Sequence, residues 1–260
     1  MEITLTPSQQ KAFDRLIHFV ESPNDRIFIL KGYAGTGKTT LMRFLIKKLT
    51  DKKLPFMLLA PTGRAAKVLS NITGHTAQTI HSLIYSFTNL NKDLSAVKKE
   101  DLVIDKVGQI YLNFEPTQLD EYEMPPTIYI VDEASMVADI EEKIITQAKF
   151  GSGKLLTELL NYDTRTESKF IFVGDPCQLP PVQEITSPAL LSDYFKEHFG
   201  IKPLEDTLTE IVRQKEENDL IRVSQLIREQ RNLMPDTERS YKMQAWARFP
   251  LRNCNNVQLH

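Results

Sequence analysis

Three features of the 260-residue chain predict an α/β fold built on a parallel sheet flanked by helices. Four short apolar runs, at 27–30, 56–60, 128–131 and 170–173, have the length and continuity of strands covered on both faces. Segments of helical periodicity separate them, which gives the β-α-β alternation of a parallel sheet. Each run ends in a turn or a polar cluster, and in such sheets ligand groups collect at the carboxyl ends of the strands.

The first element is a helix start at LTPSQQ. Thr6 occupies the N-cap, Pro7 the first turn and Gln9 the capping-box position. The run at 27–30 then feeds GYAGTGKTT (32–40), a full Gly-x-x-x-x-Gly-Lys-Thr phosphate loop, and a helical stripe of Leu41, Phe44, Leu45 and Leu49 follows it. Strand, loop and helix are therefore in the order the motif requires. Gly32, Gly35 and Gly37 let backbone N–H groups turn inward around phosphate oxygens, with Thr36 and Thr40 completing the loop. Lys38 reaches the terminal phosphates and the Thr39 hydroxyl ligates magnesium, so a nucleoside triphosphate with Mg2+ is the expected ligand.

The second run leads into APTGRAAKVL (60–69). Thr62, Gly63 and Arg64, after Pro61, offer backbone amides, a hydroxyl and a guanidinium to backbone phosphates; the same residues also suit a helix start with a solvated arginine. TIHSL (79–83) reads as a Thr79 N-cap with His81 on the helix surface. Between about 84 and 125 the pattern lapses, then Ile110, Leu112 and Phe114 alternate after a turn at Gly108, which predicts an inserted β-hairpin.

The third run opens IYIVDEASMV. Asp132 sits where a second magnesium ligand belongs, and Glu133 where a base polarises the attacking water; an acidic helix start is the other reading. The fourth opens FVGDPCQLPPV (172–182), in which Gly174 permits a tight turn and Pro180 and Pro181 stiffen the segment beyond it. The Gln178 amide can hydrogen-bond a γ-phosphate or its attacking water, or be incidental to a Gly-Asp-Pro turn. Helical order resumes after Pro188, with Leu220, Val223, Leu226 and Ile227 at helix spacing, and fades from Met234 onward. GSGK (151–154) lacks the spacing of a phosphate loop and reads as a flexible loop.

A net charge of −2 argues against a protein that coats nucleic acid indiscriminately, but the charge is segregated. Residues 26–67 hold ten Lys or Arg against the single acid Asp51, whereas 115–142 holds acids and no base. The basic block reads equally as a solvated helix face or a polyanion-facing surface. Cys177 and Cys254 have no disulfide or zinc spacing. No apolar run approaches the roughly 20 residues that span a bilayer, and the N-terminus lacks signal character, so a cytoplasmic protein without membrane contact is expected.

GYAGTGKTT, APTGRAAKVL, TIHSL, VDEAS and GDPCQLPPV occur in the order seen in superfamily 1 helicases, and the chain resembles their RecD and Dda branch from residue 5 to about 214. The resemblance implies a RecA-like P-loop NTPase that uses ATP and Mg2+ and moves on single-stranded DNA, 5′ to 3′ by analogy. It implies that Gln9 reads the adenine edge; the helix cap is the competing reading, and the two can hold in different nucleotide states. It places Pro61, Thr62, Gly63, Arg64, Thr79 and His81 on the strand. In LTEIVRQ (208–214) it makes Arg213 the finger that reaches the γ-phosphate when two motor domains close; a surface arginine paired with Glu217 is the alternative. Lys38, Glu133, Gln178 and Arg213 are then the catalytic set.

The expected organisation is a RecA-like motor domain over 1–83 and 126–204, the hairpin insert over 84–125, and the start of an incomplete second motor domain with an irregular tail over 205–260. No counterpart of the family's later motifs occurs, so a second motor domain is expected in cis or in trans, the chain being cut short by cloning, gene truncation or a frameshift. By itself it is expected to bind Mg-ATP, hydrolyse it feebly and leave duplexes wound. The competing expectation is an ATP-gated module that binds DNA or a partner without motor work.

Overall fold

The computed structural model describes residues 4–86, 103–104, 110–119, 124–141, 148–210 and 212. The four apolar runs are strands β1 (Ile27–Gly32), β2 (Phe56–Ala60), β7 (Ile128–Val131) and β9 (Lys169–Gly174). They form the middle of a six-stranded sheet in the order β10-β1-β9-β7-β2-β3, with every pairing parallel. Its two edges, β3 (Ala77–Thr79) and β10 (Leu204–Leu208), were not expected. β10 pairs with β1 from Phe28↔Leu204 to Gly32↔Leu208, so the expected boundary at 204 falls inside the sheet. The compact unit runs to residue 213. Edge strands bury one side only, and burial alternates along LEDTL accordingly, with Leu204, Asp206 and Leu208 on the covered side and Glu205 and Thr207 exposed.

Alternate side chains of each central strand enter opposite cores, which is why these strands read as continuous apolar runs. On one face Phe28, Leu30, Leu58, Ile130, Ile171 and Val173 pack against α1 (Pro7–Glu21), α2 (Lys38–Asp51) and Leu69 of α3 (Gly63–Thr73). On the other, Ile27, Ile29, Leu59, Tyr129, Val131, Phe170 and Phe172 meet α4 (Ile80–Ile84), α5 (Leu155–Tyr162) and α6 (Ser192–Phe199). Tyr129 and Phe170 stack across adjacent strands with centroids 4.9 Å apart. Among the described residues no helix is long and apolar enough to cross a membrane.

The turn from α5 to β9 is organised by Asp163, which is 1% exposed. Its carboxylate accepts from Tyr129 Oη (2.9 Å), Ser168 Oγ (2.7 Å) and Arg165 Nε (2.8 Å). Burial would raise this carboxyl, but the hydrogen bonds from Arg165, Ser168 and Tyr129 outweigh it and hold the pKa below the ordinary Asp value.

The insert is a second, small sheet. Its centre is β6 (Ile110–Pro116), antiparallel to β4 (Tyr85–Ser86) and β5 (Val103–Ile104), and parallel to β8 (Ala148–Phe150). The β5–β6 pair lies within the expected hairpin region; β8 joins it from beyond 125. GSGK is the ordered turn from β8 into α5, where Glu158 accepts from Ser152 N and Oγ at 2.7 Å each. The expected turn at Gly108, the helical stripe at 220–227 and the tail lie outside the described residues.

Candidate functional site

β1 ends at the phosphate loop, and α2 begins at Lys38 with Gly37 as its N-cap. Gly35 and Gly37 both adopt φ +83°, a left-handed conformation open to glycine and strained for other residues. The loop also excludes side chains by contact. A Cβ on Gly32 would lie 2.7 Å from Thr36 Oγ1, and one on Gly37 would lie 2.2 Å from Gln9 Nε2. Thr36 is buried and its hydroxyl donates to Tyr33 O at 2.8 Å. Lys38 Nζ folds back onto the loop, donating to Gly32 O (2.6 Å) and Tyr33 O (3.2 Å). Thr39 and Thr40 fall in the first turn of α2, half-buried.

Gln9 is where the two readings of the N-terminus meet. The capping box forms: Gln9 N donates to Thr6 Oγ1 (3.3 Å) and Thr6 N donates to Gln9 Oε1 (3.0 Å). The same amide donates from Nε2 to Thr36 O at 3.0 Å, so this 2%-exposed side chain holds the phosphate loop against α1. At the loop's outer side Val212 N donates to Gly35 O at 2.9 Å. Arg213 itself lies outside the described residues.

Asp132 and Glu133 leave β7 two strands along, since β9 lies between β1 and β7. Asp132 N donates to Leu59 O (2.9 Å), which fixes the backbone. Burial, with the adjacent Glu133 charge, pushes the Asp132 carboxyl up to about 6, partly offset by the Glu133 N–H and by Lys38. Glu133 stands at φ 52°, left-handed, and caps a 3-10 turn at Ala134–Met136. A non-glycine residue held there carries strain of about 1–3 kcal/mol, the kind that surrounding structure maintains at functional sites. The acidic pair thus opens a 3-10 turn rather than an α-helix.

The turn after β9 is built by Asp175, 3% exposed, which accepts from Cys177 N (2.8 Å) through Oδ1 and from Gln178 N (3.1 Å) through its carbonyl. It presents Gln178 beside the 3-10 turn, where Ser135 Oγ donates to Gln178 Oε1 at 2.5 Å. Gly174 is required by close approach: a Cβ there would lie 2.9 Å from Leu190 Cδ1 and 3.0 Å from Ser135 N.

Thr62 caps α3, accepting from Ala65 N at 3.2 Å, and Thr79 caps α4, accepting from Ser82 N at 3.0 Å. Both helix-start readings are therefore realised in this state. Arg64 is exposed, with no ion pair or hydrogen bond among the described residues. His81 is not a surface histidine. It packs against Phe150 (centroids 5.0 Å) and Tyr85 (5.5 Å), and burial lowers its pKa despite the opposing charge of Glu158.

One cleft of about 1000 Å³ is lined by Pro61, Thr62, Arg64 and His81 together with Asp132, Glu133 and Gln178. Its remaining wall includes Met136, Leu179 and Val182, all exposed. Gly63 and Thr79 stand outside this lining, as do the phosphate-loop residues. Ser135 and Asp175, which position Gln178, were not singled out from sequence, although they stand inside the VDEAS and GDPCQLPPV motifs.

The residues fit Mg-ATP. The glycine cradle and the N-terminus of α2 suit phosphate oxygens, and a hydroxyl plus a single carboxylate suit magnesium, which takes its other ligands from water and phosphate. No cluster of three or more His, Cys, Asp or Glu competes as a metal site among the described residues.

A family model described as an AAA domain matches residues 4–245. The chain is 40% identical over 81 residues to the ATP-dependent DNA helicase dda of Enterobacteria phage T4, covering 31% of this chain and 18% of that protein. It is 30% identical over 157 residues to the ATP-dependent RecD2 DNA helicase of Deinococcus radiodurans, covering 60% and 16%. An uncharacterized protein of Acanthamoeba polyphaga mimivirus is 31% identical over 191 residues, covering 69% and 34%. The chain therefore spans about a third or less of the length of these relatives. In fold it matches the Pif1 helicase of Candida albicans with a TM-score of 0.52 at 24% identity, covering 87% of this chain and 44% of that one. The sheet is thus a RecA-like P-loop fold.

Proposed function

Since the chain belongs to the AAA domain family and carries a superfamily 1 helicase motor domain, we propose that it binds Mg-ATP and couples its hydrolysis to movement on single-stranded DNA. Direction is 5′ to 3′ by analogy with the RecD and Dda branch. The observation that carries the reading is the shared cleft, which joins the hydrolytic carboxylates to the polar N-terminus of α3.

In this reading the loop amides of residues 32–40 and Lys38 bind the phosphates, and the Thr39 hydroxyl and Asp132 hold the metal. Magnesium held by these residues would neutralise part of the phosphate charge. Glu133 orients and deprotonates the attacking water, with Gln178 beside it as a hydrogen-bonding sensor of the γ-phosphate. Pro61, Thr62, Gly63, Arg64, Thr79 and His81 follow the strand, with phosphate contacts at the α3 N-terminus. Gln9 turns to the adenine edge when nucleotide fills the site. Arg213, one residue beyond the contact between Val212 and Gly35, supplies transition-state charge stabilisation when a second motor domain, in cis or in trans, closes on the nucleotide.

Steady-state hydrolysis with and without oligodeoxythymidylate tests this. A magnesium-dependent rate that rises with single strands is expected. A rate indifferent to the strand would leave a nucleotide-gated binding module, and no magnesium-dependent hydrolysis would remove the reading.

A further inference from the structure

His81 enters the cleft from α4 as one of three rings packed on each other. Phe150 of β8 meets it edge to face with centroids 5.0 Å apart, Tyr85 of β4 lies 5.5 Å away, and Tyr85 and Phe150 are themselves 5.4 Å apart. The imidazole is half-buried and lines the cleft together with Thr62 and Arg64. Neither of its ring nitrogens has a hydrogen bond or an ion pair among the described residues. Its packing is thus satisfied and its polar atoms are not.

The charges around the ring give a proton on it no counter-ion. Glu158 of α5 is the carboxylate that acts on His81, but it already accepts from Ser152 N and Ser152 Oγ at 2.7 Å each and from Tyr85 Oη, and burial outweighs its pull. Lys149 precedes Phe150 in β8 and so points to the opposite face, and β3 holds no ionisable side chain. Across the cleft stand Arg64, the acids Asp132 and Glu133, and Glu141, which pairs with Lys154 at 3.8 Å. The empty cleft therefore keeps the imidazole neutral. A phosphodiester reverses this balance, because its oxygen accepts from a ring N–H and its charge supplies the missing counter-ion.

We propose that His81 takes up one proton from solvent when a strand phosphate occupies the cleft, so that strand binding by this chain is proton-linked. The proton stays on the imidazole as a donor to phosphate, and no other bond changes. This rests on the function proposed above, which supplies the strand. Arg64 then contributes a fixed charge to the cleft, and His81 one that appears on binding. Because the bound strand favours the charged ring, affinity is greatest in acid and falls as pH rises through the histidine range of about pH 5 to 8, by up to about tenfold per pH unit.

Calorimetry of a short oligodeoxythymidylate binding to the 260-residue chain, without nucleotide or magnesium and in buffers of different ionisation enthalpy, counts the protons taken up. Neither the phosphodiesters nor the thymines of this probe titrate in the histidine range. The unaltered protein should take up protons, to a maximum of about one per bound strand, and anisotropy over a pH series should show the corresponding slope. His81→Gln keeps a hydrogen-bonding side chain and His81→Phe keeps a ring against Phe150 and Tyr85; both should bind with neither uptake nor slope. If one variant does not fold, the other carries the test. Should neither fold, an imidazole NMR titration of the unaltered chain carries it, and the His81 resonance should titrate at higher pH with the strand bound. Undiminished uptake in the variants, or an unmoved His81 titration, overturns the proposal. Strand binding by the unaltered protein without uptake also overturns it and leaves the proposed function standing. No binding of the strand, with or without nucleotide, overturns both.

Discussion

Replacing Gln9 by alanine deletes two hydrogen bonds from a residue that is 2% exposed, and the cost depends on the groups each bond leaves behind. Thr6 N loses Gln9 Oε1, but the Thr6 Oγ1 cap on Gln9 N survives, so the low end of the N-cap range of about 0.5–2 kcal/mol applies. Thr36 O loses its donor inside the phosphate loop, and a buried group left unpaired costs about 1–3 kcal/mol. The sum is about 1.5–3.5 kcal/mol. Urea unfolding without nucleotide reads it directly. Gln9→Glu separates the two bonds, since a carboxylate still accepts from Thr6 N but has no N–H for Thr36 O; it should lose most of the same stability. A change below about 0.5 kcal/mol in Gln9→Ala, the level of an ordinary surface substitution, would refute the claim that this amide holds the loop. Repeating the measurement as ATP against GTP binding asks the second question. An unchanged nucleotide preference leaves only the cap, and a weakened preference for ATP shows the amide moving to the base.

Glu133→Gln keeps the side-chain shape and removes the base, so turnover should fall by about 10²–10⁴ while calorimetric affinity for Mg-ATP holds. Gly174→Ala forces a methyl to within 2.9 Å of Leu190 Cδ1 and 3.0 Å of Ser135 N; destabilisation of about 1–3 kcal/mol and weakened hydrolysis together are expected in unfolding and rate measurements. Asp163→Asn breaks a buried carboxylate from its Arg165, Ser168 and Tyr129 donors, costing up to about 3–5 kcal/mol near neutral pH. Because the folded carboxyl lies below its unfolded value of about 4, its stabilisation is present above that value and is lost as pH falls through the folded one. The gap between variant and unaltered protein should therefore close in acid, as unfolding at a series of pH values would reveal.

The features legible in the sequence and those hidden from it divide along a physical line. β1, β2, β7 and β9 are buried on both faces, and such strands announce themselves as apolar runs. β3 and β8 have three residues each, and β10 is a half-polar edge, so their pairing depends on neighbours brought up by the fold. Gly35 and Gly37 were legible because the left-handed backbone of the loop is a local requirement. Contacts made across the chain left no spacing to read. The Gln9 amide meets Thr36, Ser135 meets Gln178, and Asp139 meets Glu184 only once the sheet has formed. His81 illustrates the same limit, since Phe150, which helps to cover it, arrives from β8 of the small sheet.

The coupling of nucleotide to strand is tested most directly by the affinity for labelled oligodeoxythymidylate in fluorescence anisotropy, measured without nucleotide, with ADP, and with a non-hydrolysable ATP analogue, each with magnesium. Linkage requires that a strand that changes nucleotide affinity be bound differently in those states, by about 5–150-fold for a typical coupling. A chain that couples nucleotide to strand should show different affinities in the ADP and ATP-analogue states. Equal affinity in all three would contradict it.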